Sequence, residues 1–485
     1  MRNKNRIILT LALAAMVGAT GCKKFLNVNE NPNTLPEDKA KMELALPSAE
    51  YTIAYVLGNT YQEVGGFLSQ YWTQRPSATQ YYDFERYSFD ANDLDREWGQ
   101  LYAGALRDLE FIDQQAVSTK DSNFGAVAKL LKAYTYQLVS DVHGDVPMSE
   151  AMKGDDNILN PRYDSQEQVY EQVIKLIDDA IVLLGNGQTS TIGSADVIFG
   201  GDMALWAKFA NSLKLKALMR IAEKDASAIA KIGAMATADF FLPGDVASAH
   251  TNENAVVGFF DKIGSKNPLY ASIQGLGTNN NVASKTIGDT LNALGDPRAS
   301  YFYDLNTAGL IVGTPQGAAA AGIGYPTNAP VSEVSESIIN STKPVYLISA
   351  YEVYFLLAEA QARNWMTGNA QESYEAAVVG SMAECNLDTT GLDLFGAAPY
   401  AWAATLPDQL SQIGFQKWVA FCGTQNMESW IEQRRMDVLN LAPSTASTLP
   451  GTAMPMRIPY AASEETANSN FPGQKLITDK MWWDL

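Results

Sequence analysis

The segment Tyr71-Trp72-Thr73-Gln74-Arg75-Pro76, continuing to Gln80-Tyr81-Tyr82, carries side chains suited to holding a sugar. Aromatic rings offer flat apolar faces to the C–H faces of a pyranose, and planar amide or guanidinium groups match adjacent hydroxyls. Trp72, Tyr81 and Tyr82 would supply the faces, and Gln74 and Arg75 the directed hydrogen bonds. Arg75-Pro76 is hard to place inside a helix, so the segment is expected on a loop. The alternative is that these rings pack beneath neighbouring helices. A second candidate wall is Tyr301, Tyr303 and Tyr325, with Asn279, Asn280 and Asn281; its alternative is ordinary loop residues.

Catalytic chemistry finds less support. The two histidines, His143 and His250, are too few for a histidine-rich metal site, and no G-x-S-x-G nucleophile elbow appears. No metal or cofactor is expected. A glycoside hydrolase needs two carboxylates about 5 to 10 Å apart, and among 54 acidic residues that pair stays open. Asp90-Ala91-Asn92-Asp93-Leu94-Asp95 could be a calcium loop, but lacks a ligand at its fifth position and glycine at its sixth. A helix start capped by Asn92 with acids in the first turn suits it better.

The first residues are basic (Arg2, Lys4, Arg6), residues 7–17 are apolar, and small residues lead to Ala19-Thr20-Gly21-Cys22. That order is expected for a signal peptide over residues 1–21, with Cys22 as a lipidation site opening a single domain at 22–485. The apolar run is about half of the roughly 20 residues that span a bilayer. The leader holds three cations and no acid, so its removal takes the net charge from −19 to −22. Such acidity argues against nucleic-acid binding. Cys385 and Cys422 are expected as two buried free thiols.

These residues must be positioned by helices. Helical spacing is clearest over residues 347–384, where Tyr354, Leu357, Ala358 and Gln361 precede a turn at Thr367-Gly368-Asn369 and a second helix. Within it Ala358, Ala370, Tyr374 and Ala377 keep tetratricopeptide intervals, in which small residues let two helices approach and an aromatic fills the gap. Looser pairs are expected at 124–142 with 166–184, at 203–223 with 226–237, and within 415–441. Periodicity disappears over 240–344, and Gly317-Ala318-Ala319-Ala320-Ala321-Gly322 has surface-loop composition.

Several motifs then line up in order: Phe25-Leu26-Asn27-Val28-Asn29-Glu30-Asn31-Pro32-Asn33, Asp141-Val142-His143-Gly144-Asp145-Val146-Pro147, Ala207-Lys208-Phe209-Ala210-Asn211-Ser212-Leu213, Tyr351-Glu352-Val353-Tyr354, Gln416-Lys417-Trp418, Trp430-Ile431-Glu432-Gln433-Arg434-Arg435, Arg457-Ile458-Pro459-Tyr460 and Trp482-Trp483. Across nearly the whole chain they resemble the SusD/RagB superfamily, in its SusD-like branch. The resemblance implies a mainly α fold with about four tetratricopeptide-like helix pairs and a loop-rich half. It implies a non-enzymatic lipoprotein, anchored on the outer membrane and facing outward, that captures oligosaccharides or, in some members, peptides. It also implies a partner, a SusC-like TonB-dependent transporter for which the protein forms the lid. Within these motifs Trp418, Trp430, Trp482 and Trp483 are expected to pack the core. Arg434 and Arg435 are expected to form scaffold ion pairs, and His143 to be structural.

Overall fold

Polar residues at helix starts mark most of the scaffold. A computed structural model describes residues 41–187, 189–248 and 250–484; Cys22, the leader and residues 25–33 lie outside them. Asp121 accepts from the Asn123 and Phe124 N–H groups and opens the helix Ser122–His143. Ser165 and Gln168 form a reciprocal capping box for Gln166–Gly185. Asp202, Ser349 and Asn369 cap Met203–Ile221, Ala350–Ala362 and Ala370–Glu384. Each cap satisfies N–H groups that a helix start leaves without partners, worth about 1 kcal/mol apiece.

The expected pairs are present. Ser122–His143 packs on Gln166–Gly185, Met203–Ile221 on Ala226–Ala234, and Ala350–Ala362 on Ala370–Glu384. In the last pair Ala358, Tyr374 and Ala377 are fully buried, as the tetratricopeptide spacing requires. The final pair begins earlier than expected, with Leu406–Phe421 followed by Asn426–Met436. Met42–Leu57 and Thr60–Leu68 add helices at the amino-terminal side. The latter presses Gly65 and Gly66 against the backbone of Asn426 and Met427 and the ring of Trp72, an approach only glycine permits. The fold is mainly helical, with a loop-rich half.

Two expectations need correction. The helix after Asp90 begins at Asp95 with Leu94 at its cap, and the Asn92 N–H instead donates to Asp90 Oδ1 in a turn. The region 240–344 is not devoid of regular structure: it contains Pro268–Leu276, Lys285–Leu294 and Ala299–Phe302. Asn267 and Ser284 cap the first two. These helices are too short to stand alone and owe their stability to packing, which periodicity reads poorly.

A chain of buried ion pairs crosses the scaffold. Lys216 meets Glu352 at 2.9 Å and Glu428 at 2.8 Å. Arg220 meets Asp141 at 3.3 Å, Glu428 at 2.5 Å and Glu432 at 2.6 Å. Glu432 also meets Lys417 and Arg435, and Arg435 reaches Glu359. Burial works against ionisation of Glu432, but Arg435, Lys417 and Arg220 outweigh it and hold this carboxyl well below its usual range. Arg435 is thus the expected ion-pair residue. Arg434 is not: its guanidinium donates to the Met456 and Asp141 carbonyls and lies 3.7 Å over the Trp430 ring.

Two of the sequence motifs dock on one another. Gly144, at φ +101°, ends the Ser122–His143 helix where a side chain would overlap the Arg457 guanidinium. Arg457 donates to the His143 carbonyl, and the Ile458 N–H to the Val142 carbonyl at 3.0 Å. His143 Nδ1 lies 3.0 Å from the Pro459 carbonyl, which makes the ring a structural donor. Trp483 closes the assembly by donating Nε1–H to Asp141 at 2.9 Å. Trp418, Trp430 and Trp483 are all buried, and Trp482 is half-buried.

Candidate functional site

The aromatic segment is a short strand followed by a loop. Trp72–Gln74 pairs antiparallel with Asn281–Ala283, in the register Trp72 to Ala283 and Gln74 to Asn281. Glu333 bridges to Val282, and Thr314 to Ser284, so segments from the middle of the chain flank this ladder. The Gln74 side-chain carbonyl accepts from the Tyr81 N–H and closes the loop between them.

This pairing turns most of the expected platform inward. Trp72 and Gln74 are fully buried and Tyr81 is 4% exposed. Trp72 belongs to the core with Tyr71, Trp418 and Leu291. Tyr81 stacks on Phe84 at 5.7 Å, and its hydroxyl donates to Glu63 at 2.5 Å. Trp72, Gln74 and Tyr81 are therefore core and loop-bracing residues here, without an open face for a sugar. The expected loop is a strand because Asn281–Ala283 satisfies its backbone.

What remains at the surface is polar. Arg75 donates to the Asn279 carbonyl at 3.0 Å and pairs with both carboxylate oxygens of Glu333. Asn280 Nδ2 donates to Gln80 Oε1 at 2.8 Å. Tyr82 is half-buried, with the Arg86 guanidinium 5.1 Å over its ring. Arg86 also donates to the Ala320 carbonyl, which fixes it against the loop that follows Thr314. The rim thus joins one ring with amide and guanidinium groups held by their neighbours.

The second wall does not assemble. Tyr303 is buried, its hydroxyl donating to the Tyr71 carbonyl at 2.8 Å. Tyr301 instead receives a hydrogen bond from Lys343 at 3.1 Å, and that ammonium group also lies over the Tyr346 ring. Tyr325 is half-buried within the exposed stretch 322–330. Of the three asparagines, Asn281 is buried and donates to Glu63, while Asn279 and Asn280 reach the rim.

Glu63, Glu85, Arg86 and Glu333 contribute to this region and were not singled out from sequence. The spacing of Tyr81, Phe84 and Glu85 carries the signal of a short helix facing inward, but nothing in it marks a buried carboxyl group. Cys385 and Cys422 are free and buried. Among the described residues no group of three or more His, Cys, Asp or Glu is arranged to hold a metal ion.

Two recesses lie among the described residues. A recess lined by Gln62, Asn267, Lys343, Gln425 and Glu428 has about 40 Å³ of room, and a second beside Trp418 about 10 Å³. Small-molecule pockets usually hold about 300–1,000 Å³. Neither of these two recesses takes a sugar ring.

With this architecture in view, comparison with known proteins defines the class. The SusD-like family model described as "Starch-binding associating with outer membrane" matches residues 32–461, and the chain belongs to that family. A chitin-binding SusD homologue from Flavobacterium johnsoniae is similar at 23% identity and TM-score 0.73, covering 90% of this chain and 98% of its own. A SusD homologue from Bacteroides uniformis is similar at 25% identity and TM-score 0.71, with coverage of 91% and 99%. Another structure, titled a chitin-binding protein, aligns at 24% identity and TM-score 0.74, covering 90% of this chain and 100% of that one. No curated protein matches the chain. Among the described residues no helix is long and apolar enough to cross a membrane.

Proposed function

We propose that this protein is a non-enzymatic glycan-binding lipoprotein of the bacterial surface, anchored through Cys22, which delivers oligosaccharides to a SusC-like TonB-dependent transporter as its lid. The observation that carries the glycan reading is the rim of Tyr82, Gln80, Asn280, Arg75 and Arg86, in a family described as starch-binding. An aromatic face beside fixed amide and guanidinium groups is what a pyranose edge requires. The names of the chitin-binding relatives make chito-oligosaccharides the first probes and starch-type oligosaccharides the second.

Binding is favoured over hydrolysis by the state of three carboxyl groups in this region. Glu63 and Glu85 are sealed beneath the loop, and Glu333 at the rim is held by Arg75. None of the three is poised as an open acid or nucleophile.

Tyr82→Ala should weaken oligosaccharide binding by about 1–3 kcal/mol, the range for loss of an aromatic anchor. Its effect on the melting temperature should be small, because the ring is half-exposed. Calorimetric titration and a melting curve on one preparation would test this; unchanged affinity for every glycan bound by the wild type would remove the rim from the site.

The anchor and the partner have their own test. Mild-detergent capture of the tagged wild-type protein should recover a TonB-dependent barrel, and Cys22→Ala should lose both palmitate labelling and membrane retention. Capture of the protein alone across several growth substrates would count against the lid.

A further inference from the structure

Two carboxyl groups without a cationic partner lie beneath the rim. Glu85 is fully buried and accepts from Thr73 Oγ1–H at 2.7 Å and the Gln74 N–H at 2.8 Å. Its own helix, Tyr82–Arg86, carries Tyr82. A single carboxyl group therefore joins the strand to the rim helix, and Arg86 ties that helix to the loop that follows Thr314 through the Ala320 carbonyl. On the other side of Gln74, Glu63 accepts from Tyr81 and Asn281.

We propose that Glu85 is the pin that holds this rim closed, and that loss of its proton loosens the rim. The importance of this for glycan capture rests on the function proposed above. The groups facing Glu85 offer no counter-charge. Tyr87 points its hydroxyl to the Ser444 N–H. Asp83 is exposed, and Arg86 is committed to the Tyr82 ring and the Ala320 carbonyl. Arg75, beyond the strand, is paired with Glu333. From the helix Thr60–Leu68 the facing group is Glu63, itself a buried acid. Residues 314–320 and 444–446 contain nothing ionisable.

The sign follows from burial. Burial pushes the Glu85 carboxyl from 4.5 up to about 7, against the pull of the Thr73 and Gln74 donors. Burial raises Glu63 as well. A rim that has opened to water titrates near the ordinary value. The closed rim thus keeps a proton that the open rim releases. Its closure is fully stabilised below pH 4.5 and loses that stability as pH rises through 7.

Hydrogen–deuterium exchange on the full chain, corrected for intrinsic rates, tests this directly. Between about pH 5 and pH 8 the opening of peptides over 71–87 and 314–320 should rise tenfold or more, while Met203–Ile221 stays unchanged. Glu85→Gln, which mimics the protonated group, should flatten the rise. Thr73→Val removes a donor that favours the carboxylate and should move the transition to higher pH; this variant serves if Glu85→Gln fails to fold. Protection that is flat with pH in the wild type, a rise of undiminished size after Glu85→Gln, or a transition unmoved by Thr73→Val would overturn the proposal. Titration with a chito-oligosaccharide at both ends of the range separates the two readings. Failure of any glycan to bind at either pH defeats the functional proposal and leaves the exchange result standing.

Discussion

Arg220→Ala is expected to destabilise the fold by about 3–5 kcal/mol, the cost of breaking a buried ion cluster from one side. The side chain is fully inaccessible and touches three carboxylates, Asp141, Glu428 and Glu432. Without it these acids face one another with Lys216, Lys417 and Arg435 as the remaining cations, and Asp141 loses its nearest one. The size of the effect comes from the stranded charges rather than from the net worth of the pairs, because desolvation consumes much of the attraction in an intact buried pair. Equilibrium denaturation with urea measures the change. A loss below about 1 kcal/mol, with an unchanged dependence on denaturant, would show that water reaches the cluster and screens it.

Trp72→Ala is expected to cost a further class of energy, about 3–5 kcal/mol of packing. The indole lies against Gly66 and shares a core with Tyr71, Trp418 and Leu291. Glycine in the facing helix cannot extend to refill the space, so a cavity would remain. The melting temperature should fall sharply, while any glycan affinity measured on the folded fraction should hold. A specific loss of glycan binding with no loss of stability would return Trp72 to the role of an open platform.

How far the sequence could be read depended on the range of the interactions. Helix pairs were visible because their determinants are local: Asp121, Ser165, Asp202 and Asn369 sit next to the turns that they cap. The spacing of Ala358, Tyr374 and Ala377 marked a close helix approach for the same reason. The candidate site depended on partners far along the chain. Trp72 and Gln74 are drawn inward by Ala283 and Asn281, and Tyr81 by Glu63, which accepts from its hydroxyl, and Gln74, which accepts from its N–H. Composition identified the correct neighbourhood, since Arg75 and Tyr82 do reach the rim. It could not divide that segment into an inner and an outer face, because the partner strand sets that division. Tyr301 and Tyr303 were separated by the same kind of distant contact, one drawn to Lys343 and the other to Tyr71.

The docking of Arg457 and Trp483 onto the Ser122–His143 helix has a kinetic meaning. Its hydrogen bonds join residues more than 300 positions apart, as from Arg457 to His143 and from Trp483 to Asp141. The helix pairs can form early from neighbouring segments, whereas this closure must wait for a very large loop to find its ends. Contacts of such separation slow folding, because the entropy of closing the loop is spent before they form. Until they form, Asp141 and the end of its helix stay unmatched. A chain that lacks this closure would leave open the apolar face that Trp483 covers, and that face is where it would stick to another chain.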